Sequence, residues 1–99
     1  MSLTIWDYPL AVQPYNIIDM PFDAVILSLQ VQNNKPVIWA SVDPDEIKEK
    51  RTFVMVPTGG IVPGKGRFIG TVQIESITFD ATNINPLPFV FHIFEILTR

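Results

Sequence analysis

From Val25 to Gln32 the chain alternates. Val25, Leu27, Leu29 and Val31 fall on one phase, and Ile26, Ser28, Gln30 and Gln32 on the other. A two-residue period of this kind gathers its apolar side chains on one face only when the backbone is extended, so the segment predicts a β-strand. Asn33-Asn34-Lys35-Pro36 follows, with residues that tolerate turn dihedrals, and Val37–Val42 resumes an extended apolar run. The pair reads as a hairpin. β-branched and aromatic content predicts further strands at Thr4–Tyr8, Asn16–Met20, Thr52–Val56, Arg67–Glu75 and Phe89–Leu97.

Nine prolines punctuate this pattern. Proline has no amide hydrogen to give to a ladder, and Pro9, Pro14, Pro21, Pro36, Pro44, Pro57, Pro63, Pro86 and Pro88 are all expected at or between strand ends. The one helical candidate, Asp45–Lys50, is too short to hold a helix by itself and predicts at most a short turn. Ser76–Pro88 shows almost no periodicity and predicts a crossover or flap. The expected architecture is all-β, a small antiparallel β-sandwich or partly open barrel of about seven strands, with residues 1–99 forming a single domain. The last strand, apolar on both phases, is expected in the middle of the structure or at an interface.

Composition narrows the function classes. There is no cysteine, so the core is expected to hold without disulfides and without thiolate metal ligands. Hydrophobic residues make up 47% of the chain and charged residues only 17%, against about a quarter charged in an ordinary soluble domain. This surplus of apolar surface predicts association, including with further copies of the chain. Seven basic and ten acidic residues give a net charge of −3, which sets up no field for nucleic acid. Residues 1–7 have no basic stretch followed by an apolar run, so no secretory signal is expected. Phe89–Leu97, the longest apolar tract, is interrupted by His92 and Glu95, and a membrane-spanning helix needs about 20 apolar residues.

Candidate chemistry is sparse. His92 is the single histidine, and on a strand it shares its face with Val90, Phe94 and Ile96, which points to a hydrogen-bonded structural role ahead of a catalytic one. Asp43, Asp45, Glu46 and Glu49 lie in one polar connection and read as a solvated turn. One histidine without cysteine predicts no zinc site, and Asp43-Pro44-Asp45-Glu46 lacks the ligand spacing of a calcium loop. No cofactor is expected. Residues 57–66 hold four of the five glycines. There Thr58, Gly59, Gly60, Lys65 and the adjoining Arg67 offer amides, a hydroxyl and two cations that could cradle an anion such as a small nucleotide phosphate. The spacing is not that of a Walker loop, and a plain hairpin loop is the simpler expectation.

Several blocks carry a resemblance. Tyr8-Pro9-Leu10, Met20-Pro21, Ala24–Gln32, Pro36–Asp43, Arg51-Thr52-Phe53, Thr58-Gly59, Phe68–Thr71 and Phe91–Glu95 resemble, in the same order, a family of small uncharacterised β-domain proteins of tailed phages and prophages. Ile38-Trp39-Ala40, Ile69-Gly70-Thr71 and His92-Ile93-Phe94-Glu95 stand where that family has its Leu-Trp-Ala, Ile-Gly-Thr and His-x-Phe-Glu blocks. Leu29 replaces a common valine, and the linker Ser76–Pro88 is longer. The resemblance implies a phage or prophage origin without an assigned activity, and it marks His92 and Glu95 as candidate functional residues on opposite faces of one strand.

The expectation is a non-enzymatic accessory protein in the cytoplasm of the infected bacterium. It would bind a host protein or other partner, or itself, through sheet edges and the glycine-rich loop. The alternatives are a minor virion or assembly component, and a sponge for a small nucleotide.

Overall fold

The structure is a computed structural model that describes residues 2–79 and 84–97. Seven strands form two antiparallel sheets: β1 (Thr4–Pro9), β2 (Tyr15–Pro21), β3 (Val25–Gln32), β4 (Lys35–Val42), β5 (Lys48–Pro57), β6 (Gly66–Phe79) and β7 (Ile84–Ile96). One sheet has the order β1-β4-β3 and the other β2-β5-β7-β6. No helix occurs among the described residues: Pro44-Asp45 form a turn, and Lys48–Lys50 already belong to β5.

Alternation places the core between the sheets. Ile38, Ala40 and Val42 of β4 face Phe53 and Met55 of β5, Val72 and Ile74 of β6 and Ile93 of β7, all buried. The β3–β4 connection is a two-residue turn between Gln32 and Lys35. Its residues Asn33 and Asn34 both take positive φ, 52° and 59°, the handedness that matches strand twist and that asparagine tolerates. Bulges lie between Ile26 and Ser28 on β3 and between Phe68 and Gly70 on β6, each bending its strand. There Leu29 lies over Gly70, where a Cβ would stand 3.0 Å from the Leu29 side chain. β3 and β6 thus meet at a seam of side-chain contacts and not a hydrogen-bonded ladder, and β1 and β2 end the two sheets on the other side.

The sequence reading of Ser76–Pro88 is corrected. Most of the segment is strand: β6 runs to Phe79, β7 begins at Ile84, and Ile77↔Pro86 and Glu75↔Pro88 are in register. Asp80–Asn83 lie outside the described residues. Beyond Phe91 the hairpin leaves β5 and continues as a two-stranded ribbon. The fold accordingly measures 57 × 29 × 16 Å with a radius of gyration of 15.5 Å, above the ~13 Å usual at about 100 residues. Pro36, Pro86 and Pro88 also lie inside strands and not at their ends. Each can do so because its missing N–H is not needed on the side toward the adjacent hairpin partner. Even-numbered residues of β7 point toward β5, as the bond from the Thr58 amide to the Val90 carbonyl shows. The backbone of Pro86 and Pro88 shares that direction, where no described strand pairs with the ribbon.

Candidate functional site

β7 is one of the two internal strands of its sheet, and its two faces carry different chemistry. The inward face holds Glu95. Register sets Glu95 against Phe53 on β5 and Arg67 on β6, and Arg51, two residues along β5, has the same inward phase. Arg51 grips the carboxylate with two bonds, Nε to Oε2 at 2.6 Å and Nη2 to Oε1 at 2.8 Å, and its Nη1 donates to the Ala24 carbonyl. Arg67 adds a third, Nη2 to Oε1 at 2.9 Å. Glu95 is buried and Arg51 largely so, with side-chain exposures of 7% and 12%, whereas Arg67 is 55% exposed. Burial alone would raise the Glu95 pKa, but the bonds and charge of Arg51, reinforced by Arg67, hold it below the ordinary glutamate range. The same pairing raises Arg51, with Glu49 and Asp23 contributing charge from nearby. These residues line a cleft together with Ala24. Tyr8 enters the core close enough for Arg51 to act on it. Burial raises its pKa and Arg51 opposes the rise. Its hydroxyl is buried without a hydrogen-bond partner.

The outward face holds His92, opposite Val56 on β5 and Thr71 on β6. Its Nδ1 lies 2.9 Å from Thr71 Oγ1 and its Nε2 2.9 Å from Thr58 Oγ1. A neutral imidazole donates from one nitrogen and accepts at the other, so one threonine hydroxyl accepts and the other donates. The ring is half-buried, beneath the start of the glycine-rich loop. That loop folds over the outside of its sheet: Val56 points outward and is still only 7% exposed. A Cβ on Gly60 would lie 2.7 Å from Val56 Cγ1, and one on Gly66 would lie 3.2 Å from Phe94 Cβ.

The candidate anion set is divided by this arrangement. Thr58 is on the outer face with its hydroxyl on His92, Gly59 has a φ of +90°, and the Gly60 amide is bonded to the Pro57 carbonyl. Lys65 is exposed, with its carbonyl holding the Leu97 amide. Arg67 turns to the opposite face and Glu95. His92 and Glu95 themselves stand on opposite faces, as their spacing requires.

The sequence marks Tyr8 and Arg51 only as members of matching blocks and Asn34 only as a turn residue, none of them with a part in the site. Arg51 sits in a run of charges, Lys48-Glu49-Lys50-Arg51, that hides its inward phase. The usable signal was its spacing from buried Phe53 and Met55 at two-residue steps. Among the described residues no group of three or more His, Cys, Asp or Glu side chains is placed to hold a metal ion, and no helix is long and apolar enough to cross a membrane.

No curated protein and no solved structure matches the chain. A family model described as a domain of unknown function, DUF7352, matches residues 1–98. A match over that span shows the family, and the chain belongs to DUF7352.

Proposed function

We propose that the chain is a non-enzymatic binding module of phage or prophage origin, acting on a protein partner in the cytoplasm of the infected bacterium. One observation carries the reading. The side chains best suited to chemistry are engaged with each other, Glu95 by Arg51 and Arg67 and His92 by Thr58 and Thr71, while large apolar side chains stand in solvent. Leu3, Ile5, Val25 and Leu27 on or beside the β1-β4-β3 sheet are each more than half exposed, as are Tyr15 and Ile17 on β2. Exposed apolar groups grouped in this way favour association. The phage origin rests on the blocks from Tyr8 to Glu95.

The test is a pull-down with the tagged chain from lysate of the bacterial host, followed by intact-mass analysis of whatever is retained. A protein bound in stoichiometric amount, and lost when Leu3, Ile5 and Val25 are changed to serine, is expected. Retention of nothing above the level of an unrelated β-domain overturns the reading.

A second reading follows from the hydroxyl–imidazole pair of Thr58 and His92, which is the contact a hydrolase nucleophile and base would make. Here the far ring nitrogen meets a threonine and not a carboxylate that would orient and charge-balance the ring. Hydrolysis of a panel of ester and phosphoester substrates that disappears in both Thr58→Ala and His92→Ala would establish it in place of the first.

A further inference from the structure

Two sheets of three and four strands have four edges, and hydrogen-bond direction shows how each is treated. β6 and β3 meet at the seam. The free edge of β6 is further blocked at Glu75, whose amide and carbonyl are both bonded to the Asn34 side chain. On β2 the even-numbered residues bond β5, since the Met55 amide reaches the Pro14 carbonyl, and Tyr15, Ile17, Asp19 and Pro21 face outward. That edge carries the Gln13 side chain on the Tyr15 carbonyl, the Lys50–Asp19 ion pair at 3.2 Å, and a proline. Such features discourage strand addition.

β1 is different. The Leu10 amide bonds the Pro36 carbonyl, so even-numbered residues of β1 face β4 and the backbone groups of Ile5 and Asp7 point away from the sheet. Nothing caps them among the described residues. Leu3 and Ile5 beside them are 66% and 61% exposed, and Trp6, on the core-facing side of β1, is 36% exposed.

We propose that a second copy of this chain pairs antiparallel with β1 about a two-fold axis at Ile5. This rests on the reading of the chain as a binding module and names its edge and occupant. The edge is self-complementary. In this register the outward-facing Ile5 meets Ile5 of the second copy, Leu3 meets Asp7, and Asp7 meets Leu3, so each outward amide and carbonyl from Leu3 to Asp7 finds its counterpart. No charge opposes a like charge, and the two Pro9 residues fall beyond the paired region. Thr4 of the second copy comes beside Trp6 and covers it. The product is a six-stranded sheet, β3-β4-β1 continued by β1-β4-β3, with an isologous interface. A foreign strand could satisfy the same backbone groups, so the choice of a second copy rests on the two-fold match of the side chains.

The full chain tests this by sedimentation equilibrium. Wild type is expected to dimerise. Ile5→Lys and Ile5→Glu each place like charges across the axis, and each should raise the dimer dissociation constant at least about tenfold. An equimolar mixture of the two should dimerise again, while Ile17→Lys on β2 should leave dimerisation as in wild type. Amide exchange of unmodified protein provides a readout that needs no variant: Ile5 and Asp7 become protected as concentration rises, and Ile17 and Asp19 do not. A wild type that stays monomeric to millimolar concentration, charge variants that dimerise as wild type does, or Ile5 and Asp7 amides indifferent to concentration overturns the proposal. A monomer that still retains a bacterial protein leaves the binding-module reading standing and removes only self-pairing.

Discussion

The Asn34 side chain and the backbone of Glu75 make a reciprocal pair: the Asn34 amide nitrogen donates to the Glu75 carbonyl, and the Glu75 amide donates to Asn34 Oδ1 at 2.8 Å. A side-chain amide has the donor and acceptor spacing of a peptide group, so Asn34 completes one rung of a ladder at the edge of β6. Asn16 repeats the device on Ala11, donating to its carbonyl and accepting from its amide at 3.0 and 2.9 Å. In both places an asparagine fastens two segments that do not pair as strands.

Asn33 and Asn34 share the turn and its positive φ, which separates conformation from contact. Asn34→Asp keeps the shape but sets a carboxylate oxygen against the Glu75 carbonyl, and should cost about 1–2 kcal/mol. Asn33→Asp should stay within about 0.5 kcal/mol of wild type. Urea denaturation of both variants measures the difference.

Glu95→Gln cannot hold two guanidinium groups, and one of them is buried. Removing one member of a buried pair typically costs about 3–5 kcal/mol. The Glu95 pKa is lowered in the folded chain, so its contribution is present above the ordinary value of about 4.3 and is lost as pH falls through the lower folded value. Thermal melts across that acid window should show wild type losing its advantage over Glu95→Gln. A constant difference would mean the carboxylate is not what holds the arginines.

Tyr8 buries a hydroxyl without a partner, and Tyr8→Phe should stabilise by about 1 kcal/mol. Its folded pKa is raised. Stability from the neutral phenol is therefore whole below the ordinary value of about 10 and is lost as pH rises through the folded value. Tyr8→Phe should be flatter than wild type in alkaline melts.

The glycine-rich loop is read as a cover over its sheet, and its glycines are not equivalent. Gly60→Ala drives a Cβ into Val56 and the Pro57 carbonyl and should cost about 1–3 kcal/mol. Gly64, with nothing within 4 Å of a Cβ, should accept alanine within about 0.5 kcal/mol. Equal effects would show that the loop does not lie on Val56.

All seven strands and the β3–β4 turn were legible, because side-chain period and turn chemistry are local. The start of β5 was missed since Lys48–Arg51 alternate charge with charge, and only pairing with β2 shows which of them face inward. Ser76–Pro88 was misread for a related reason. Its prolines argue against a strand unless one flank is empty, and an empty flank is a property of the tertiary arrangement. The opposite placement of His92 and Glu95 followed from parity alone. Their partners did not, because Thr58, Thr71, Arg51 and Arg67 reach them from other strands and from the covering loop.

Pro86 and Pro88 leave the outer flank of the ribbon with carbonyl oxygens at two successive outward positions and no hydrogens to offer there. A sheet cannot grow from a border that only accepts, since an arriving strand needs both halves of each rung. Water, or a lysine or arginine from elsewhere, can satisfy those oxygens, and so this border of the ribbon gives a neighbouring copy no complete edge from which to build a fibril.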